Sequence, residues 1–228
     1  MSAHSERKRM ALRVVLLLGL VSAFGDITYE SARSVSGPYL ALLGAGAGAI
    51  GLVSGLGEFV AYAPRLLAGY VADRTRAYWV GTFLGYGLLL SIPLLALANR
   101  WETAAALLIA ERVGKAVRSP SRDAILSHAT KEMGRGWGFA LHVALDQIGA
   151  VIGSLIVAAA FLLTGGYRRG FSILWIPALL TLLALVIAWR CAPSPELFEI
   201  SAAPPDTYRS PCPVTPSHCA SRASSPCR

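Results

Sequence analysis

Ionisable side chains interrupt several long apolar stretches of this 228-residue chain. The first stretch carries Asp26, Glu30 and Arg33, whose spacings of four and three residues place them on one stripe of a helix. An unpaired charge at mid-bilayer costs several kcal/mol, so such side chains face one another, an opposite charge, or water. The corresponding residues of the later stretches are Glu58, Glu111, Arg112, Lys115, Arg118, His142 and Asp146.

Two interpretations fit any one of these residues. Buried acids and bases can form ion pairs that hold helices together, for example Asp26 with an arginine. Taken as a set, however, carboxylates at similar depth on several helices predict a polar cavity that accepts a small polar or ionic solute.

An intramembrane enzyme using His142 with Asp146, or Glu111, is a third interpretation. No H-E-x-x-H pair or serine elbow accompanies these residues, so we expect no enzyme.

The elements that position these residues are predicted to be transmembrane helices. Hydrophobic residues make up 54% of the chain and charged residues 15%, with a mean hydropathy of +0.53. A soluble domain of this length carries more charge, because it must cover its surface with polar groups. The nearly uncharged runs are residues 14–21, 88–98, 104–110, 151–163 and 173–188. So many runs indicate a protein embedded in the lipid bilayer.

We predict an all-α bundle of six membrane spans, because about 20 helical residues cross the hydrocarbon. Spans 1 to 6 are placed at residues 11–40, 47–71, 78–98, 102–117, 136–164 and 170–188. Pro120 is expected to end the helix of span 4, so that residues 121–132 form a cytoplasmic amphipathic stretch. Residues 1–13 resemble the charged start of a signal peptide, but no cleavage site cleanly ends the next apolar run. Residues 1–10 are therefore assigned to a cytoplasmic N-terminus before an uncleaved first helix.

The basic residues indicate orientation rather than nucleic-acid binding. A net charge of +8 raises nucleic acid as a partner, but the positive residues sit mainly at the ends of apolar segments. Most flank one side of the predicted bundle, which places both termini in the cytoplasm. That side carries Arg7, Lys8, Arg9, Arg13, Arg74, Arg76, Lys115, Arg118, Arg122, Lys131 and Arg135; the other carries Arg100, Arg168 and Arg169. Positive-inside anchoring is the expected role of Lys115, Arg118 and Arg122.

Small residues predict close helix contacts in two spans. Gly44, Gly48, Gly51 and Gly55 provide small-x-x-x-small spacings at span 2, and Gly149 with Gly153 provides another in span 5.

Residues 191–228 have a different composition, rich in Ser, Pro, Cys and Arg with no apolar period. Such a segment is expected to be disordered. All four cysteines lie in it, so the bundle contains no disulfide. The spacing of the last three cysteines and His218 fits no zinc pattern, and we expect no metal and no cofactor.

The loop after span 2 carries the first family resemblance. Its residues Gly69-Tyr70-Val71-Ala72-Asp73-Arg74-Thr75-Arg76 resemble the G-x-x-x-D-R-x-G-R-R signature of the major facilitator superfamily. Arg76 stands where the second glycine is usual. The resemblance implies a cytoplasmic gate formed by Gly69, Asp73, Arg74 and Arg76.

Further segments extend the resemblance over residues 11–198. Arg112 is at a position similar to the family's buried span-4 arginine, which is linked to proton coupling. Residues 149–154 resemble its span-5 motif G-x-x-x-G-P, with Ser154 replacing proline. Residues 24–30, 114–124 and 145–150 resemble prokaryotic members, which implies the prokaryotic plasma (inner) membrane.

The resemblance implies a solute carrier whose cavity alternates in access. Family members have two six-helix halves, each built from two inverted three-helix repeats, so this chain corresponds to one half. The implied cavity or proton-coupling residues are Asp26, Glu30, Arg33, Glu58, Glu111, Arg112, His142 and Asp146. Because the tail resembles no seventh helix, we expect a truncated or frame-shifted product. Activity then requires a second half or another copy of this chain; the alternative is a non-transporting scaffold or an inactive fragment.

Overall fold

The structure is a computed structural model that describes residues 3–130, 134–164 and 166–193. Within these ranges the chain is helical and contains no strand, which confirms the all-α prediction. The helices are α1 (Ala3–Leu42), α2 (Ala47–Tyr62), α3 (Arg65–Thr75), α4 (Tyr78–Leu88), α5 (Ser91–Leu94), α6 (Trp101–Thr130), α7 (Arg135–Thr164), α8 (Tyr167–Ile173) and α9 (Trp175–Cys191), with a 3₁₀ turn at Leu95–Leu97. Most of the tail, residues 194–228, lies outside the described residues.

Three of the predicted spans are each divided into shorter helices near a proline. Span 2 comprises α2 and α3, and Pro64 separates them. Span 3 comprises α4, α5 and the 3₁₀ turn, with Pro93 inside α5. Span 6 comprises α8 and α9, and Pro177 lies in the first turn of α9. Proline has no N–H to donate to the carbonyl four residues earlier, so the helical ladder is interrupted at these points.

The predicted break at Pro120 is wrong. Helix α6 runs without interruption from Trp101 to Thr130, and Pro120 lies inside it. The hydroxyls on either side of the proline bond backbone carbonyls one turn earlier: Ser119 donates to Lys115 O at 2.8 Å and Ser121 to Val117 O at 3.3 Å. Serine hydroxyls of this kind help a membrane helix to tolerate a proline. The stretch predicted as a separate cytoplasmic element is therefore, up to residue 130, part of the bundle.

The helices are those of an integral membrane protein. Five segments of the described chain are long and apolar enough to cross a bilayer: Arg9–Leu42, Ala47–Thr75, Tyr78–Leu97, Gly136–Ala160 and Tyr167–Cys191. Large apolar side chains point outward, such as Phe59 with 66% and Leu66 with 85% of its surface exposed. Helix α6 is long enough to cross as well, but its charged residues set it apart from the other five. It contacts α1, α2, α3, α4 and α5. Four of its charged side chains lie within the bundle: Glu111, Arg112, Arg118 and Arg122.

The six spans form two interleaved groups. Helix α1 contacts mainly α7 and α9, whereas α6 contacts mainly α4, α2 and α3. Span 1 thus lies with spans 5 and 6, and span 4 lies with spans 2 and 3. Helices α1 and α6 also contact each other, so the polar residues of the two helices lie close together.

Glycines allow the closest helix contacts at two interfaces. Side-chain carbons built at Gly149 and Gly153 on α7 would overlap the α1 backbone at Ala23 and Ile27. The Ser31 hydroxyl also donates to the Gly153 carbonyl at 2.7 Å. The prediction for span 5 is therefore confirmed. For span 2, nothing lies within 4 Å of such carbons at Gly44, Gly48, Gly51 and Gly55, so none of the described helices uses this face.

Candidate functional site

The structure brings most of the predicted site residues into two neighbouring clusters around α1 and α6. One, the glutamate cluster, comprises Tyr29, Glu30, Arg33, Glu58, Glu111, Arg112 and Arg118. The other, the histidine cluster, comprises Ser22, Tyr86, Arg122, Asp123, His142 and Asp146. Helix α1 contributes residues to both clusters because its polar positions recur about every turn from Ser22 to Arg33.

In the glutamate cluster, one arginine connects three helices. Arg112 on α6 lies 3.1 Å from the Glu58 carboxylate on α2 and donates a hydrogen bond to the Tyr29 hydroxyl on α1. Arg33 on α1 reaches the same Glu58 carboxylate at 3.7 Å and Glu30 at 3.6 Å. Glu58 is therefore shared by two guanidinium groups, which neutralises its charge between the helices.

A second ion pair in this cluster is almost completely buried. Arg118 donates to the Glu111 carboxylate at 3.2 Å across two turns of α6, and their side chains are only 4% and 2% exposed. The Arg118 guanidinium also lies over the Tyr86 ring of α4, 5.1 Å from its centre. Breaking a pair buried to this degree leaves an uncompensated charge, so each partner depends on the other.

The histidine cluster connects α1, α6 and α7. Arg122 donates to the Ser22 hydroxyl at 2.8 Å and lies 3.8 Å from the Asp146 carboxylate. His142, one turn before Asp146 as the sequence predicts, places Nε2 3.8 Å from the same carboxylate oxygen and 3.4 Å from Ser22. The Ser22 hydroxyl also lies 3.2 Å from the Tyr86 hydroxyl.

Two polar atoms of this cluster are buried without a hydrogen-bond partner among the described residues. They are Oδ1 of Asp146 and Nδ1 of His142. Buried polar atoms are usually hydrogen-bonded, so each exception calls for an explanation in the chemistry of its site. An acid and a base with unused bonding capacity, next to a cation, form a unit that can take up and release a proton.

Asp26 and Lys115 occupy the junction between the clusters. The Lys115 ammonium on α6 lies over the Tyr29 ring, 3.6 Å from its centre, and Asp26 on α1 is half-buried. Asp26 interacts electrostatically with Lys115, Arg118 and Arg122, but forms no ion pair within 4 Å among the described residues.

The predicted gate residues lie apart from both clusters. Asp73 and Arg74 are exposed near the end of α3, and the structure does not bring them together with the site residues. Gly69 faces Pro120 of α6, with 3.6 Å between a built side-chain carbon and the proline Cβ. Arg76 ends α3 in the left-handed conformation at φ 53°, which favours glycine and accounts for the glycine usual at this position of the motif.

Sequence reasoning missed several members of the site and misassigned others. Ser22 and Tyr29 lie on the stripe of Asp26 and Glu30, so their spacing could have revealed them. The anchoring role expected for Lys115, Arg118 and Arg122 is wrong, because α6 continues past Pro120 and all three contact interior partners. Arg65 of α3 lies outside both clusters: it donates to the Ala61 carbonyl at 2.9 Å and lies over the Tyr62 ring.

Comparisons with known proteins identify a family and relatives of this chain. The profile of the Major Facilitator Superfamily matches residues 12–217. An uncharacterised protein of Mycobacterium tuberculosis, and one of Mycobacterium bovis, are each 47% identical over 191 residues, which are 83% of this chain and 47% of the relative. An uncharacterised MFS-type transporter of Methanocaldococcus jannaschii is 35% identical over 156 residues, which are 67% of this chain and 38% of the relative.

The chain spans about half the length of the curated relatives that it matches. The profile match nevertheless extends across all six spans and both clusters. The motif after span 2 and this match point to one family. The chain belongs to the major facilitator superfamily.

Proposed function

We propose that this chain is one six-helix half of a proton-coupled secondary transporter for a small polar or ionic solute. The observation that carries the proposal is the histidine cluster, where Asp146, His142 and Arg122 meet inside the membrane bundle. Ionisable groups inside membrane helices are costly, and proton relays are one of the functions for which proteins retain them. Family membership supports transport as the activity that these groups serve.

Asp146 is the proposed proton carrier. As a carboxylate it attracts Arg122, which in turn donates to Ser22, so the charge holds α7, α6 and α1 together. Protonation removes that attraction and frees Arg122 to shift toward its other partner, Asp123, at 3.0 Å. His142 is one turn away and can pass the proton to or from Asp146. Proton binding would thereby alter the contacts between the two groups of spans.

The glutamate cluster is the proposed solute-facing part of the cavity, with Asp26, Glu30, Arg33, Glu58, Glu111 and Arg112 along its wall. Glu58 and Arg33 are partly exposed, at 41% and 52%, whereas Glu111 is buried.

The cytoplasmic side is proposed to be gated by Gly69, Asp73, Arg74 and Arg76. The positive-inside bias supports cytoplasmic termini, and the plasma (inner) membrane of a prokaryote is the proposed location.

A second six-helix unit is proposed to complete the cavity. The α2 face with Gly48, Gly51 and Gly55 meets no described helix, and the relatives are about twice the length of this chain. The unit could be a separate half or another copy of this chain. Native mass spectrometry of the purified protein counts the copies directly.

The test of the proposed function is solute flux in vesicles. The purified chain is reconstituted with an entrapped pH dye and challenged with a solute panel under an imposed proton gradient. We expect solute-dependent proton movement that Asp146→Asn reduces at least tenfold, while Arg100→Gln, a surface control, leaves it unchanged. Absence of flux with every solute, in vesicles that retain the folded protein and its complexes, would favour the scaffold alternative.

A further inference from the structure

The charged residues of the two clusters are almost all neutralised by one another. Glu30, Glu58 and Glu111 pair with Arg33, Arg112 and Arg118, and Asp123 and Asp146 pair with Arg122. In the described part of α1, α2, α6 and α7 around the clusters, this leaves one acid and one base without an ion pair. They are Asp26 and Lys115.

The two unpaired groups are held apart rather than paired with each other. Each is in electrostatic range of the other, but no Lys115–Asp26 contact lies within the 4 Å of an ion pair. The Lys115 ammonium is directed onto the Tyr29 ring, 3.6 Å from its centre. Tyr29 in turn is fixed by the hydrogen bond from Arg112, so the lysine has a preformed position.

The position of the pair suits a ligand. Asp26 on α1 and Lys115 on α6 lie between the glutamate and histidine clusters, and both side chains are half-buried rather than sealed. A charge of each sign, removed from bulk water and without a direct counter-ion, is costly unless a ligand supplies the missing partner. The ligand would have to carry a cation for Asp26 and an acid for Lys115 at the same time.

We infer that the solute of the proposed transporter is a small zwitterion, such as an amino acid or a betaine, whose cationic group binds Asp26 and whose acid group binds Lys115. The inference rests on the proposed function and adds the chemical class of the solute. Each charge of such a solute would bind a group that has no ion pair among the described residues. A simple anion or a simple cation would satisfy only one of the two groups.

Equilibrium binding to the purified full chain in lipid nanodiscs tests this inference. The probes are the proteinogenic amino acids and glycine betaine, and each amino acid is compared with its amide, which lacks the negative charge, and its N-acetyl form, which lacks the positive one. We expect at least one zwitterion to bind, and both matched derivatives to bind at least tenfold more weakly.

Substitutions locate the site. Asp26→Asn and Lys115→Gln should each weaken zwitterion binding at least tenfold, Asp26→Glu should retain most of it, and Glu102→Gln at the exposed end of α6 should not change it. Circular dichroism establishes that each variant is folded. The inference is overturned if no zwitterion binds, if either matched derivative binds equally well, or if both charge-removing variants bind normally.

The flux assay separates this inference from the proposed function. Proton-coupled flux of a solute with a single charge would support the proposed transport function and contradict the inference that the solute is a zwitterion. Zwitterion binding that requires Asp26 and Lys115, without flux in any vesicle, would support the inferred binding site and contradict transport by this chain.

Discussion

The Arg112 guanidinium on α6 lies 3.1 Å from the Glu58 carboxylate on α2, so an ion pair joins spans 2 and 4 inside the bundle. The same arginine donates to Tyr29 on α1. Its loss therefore affects three helices at once, and its contribution to stability can be measured.

Replacement of Arg112 by Met should destabilise the protein by about 1–3 kcal/mol, less than for a fully buried pair because Glu58 is partly exposed. For a chain of this size that corresponds to a fall in Tm of about 2–10 °C. Thermal unfolding in detergent measures it. Arg100→Met removes a surface pair at 3.8 Å from Glu102 and should leave Tm unchanged. Equal Tm values for the two variants would contradict the three-helix role of Arg112.

Removal of Glu111 should be more severe than removal of Arg112. Glu111→Ala leaves the Arg118 charge buried without its carboxylate, at a cost of about 3–5 kcal/mol. The Glu111→Ala/Arg118→Ala double variant should lose less stability than the sum of the two single variants, because no charge remains unpaired. Unfolding of all three variants gives the coupling energy, and additive effects would show that the pair is not a unit.

Replacement of Gly149 by Ala should open the α1–α7 interface. The added methyl would overlap the Ala23 backbone, which cannot rotate away, so a loss of about 1–3 kcal/mol is expected. Gly87→Ala on α4 is the matched control, since nothing lies within 4 Å of its new methyl and helix propensity alone should add about 0.5–1 kcal/mol. Opposite signs of the two Tm shifts are the expected result, and a stabilising Gly149→Ala would argue against this interface.

Pro120→Ala should stabilise the protein. The substitution supplies an N–H for the Ala116 carbonyl within an unbroken helix and keeps the Cβ that faces Gly69. A rise in Tm of a few degrees is expected, on the order of 1–3 kcal/mol. If the helix ended at Pro120, as the sequence alone suggests, the substitution would have little effect, so an unchanged Tm would count against a continuous α6.

Surface labelling checks the proposed orientation. In a variant with the four natural cysteines replaced by serine, a cysteine at position 74 should react with an impermeant maleimide only from the cytoplasmic side of spheroplast membranes. A cysteine at position 100 should react only from the outside. The reverse pattern would overturn the cytoplasmic placement of the termini.

The helical class and the contacts within one helix could be predicted from the sequence. Long uncharged runs require helices in a bilayer, and a spacing of four residues is enough to bring His142 and Asp146 together. The close approach of another helix at Gly149 and Gly153 follows from the same kind of local pattern, although the pattern does not identify α1 as the partner.

Contacts between helices could not be predicted in this way. The Glu58–Arg112 pair depends on the rotation of α2 and α6 about their axes, which a single sequence does not determine. The sequence predicts that Arg122 lies in a cytoplasmic stretch, because proline usually ends a helix. In the structure, serine hydroxyls and contacts with α4 support α6 across Pro120.

The charges of α6 also bear on how the protein enters the membrane during synthesis. Each of Glu111, Arg112, Lys115, Arg118 and Arg122 would be expelled from lipid if α6 left the translocation channel alone. Several of their partners, namely Ser22, Tyr29, Glu58 and Tyr86, precede α6 in the chain and are made first, whereas Asp146 of α7 is made later. We therefore expect the earlier helices to remain beside the channel until α6 emerges and pairs with them, so that integration is a cooperative step rather than six independent ones.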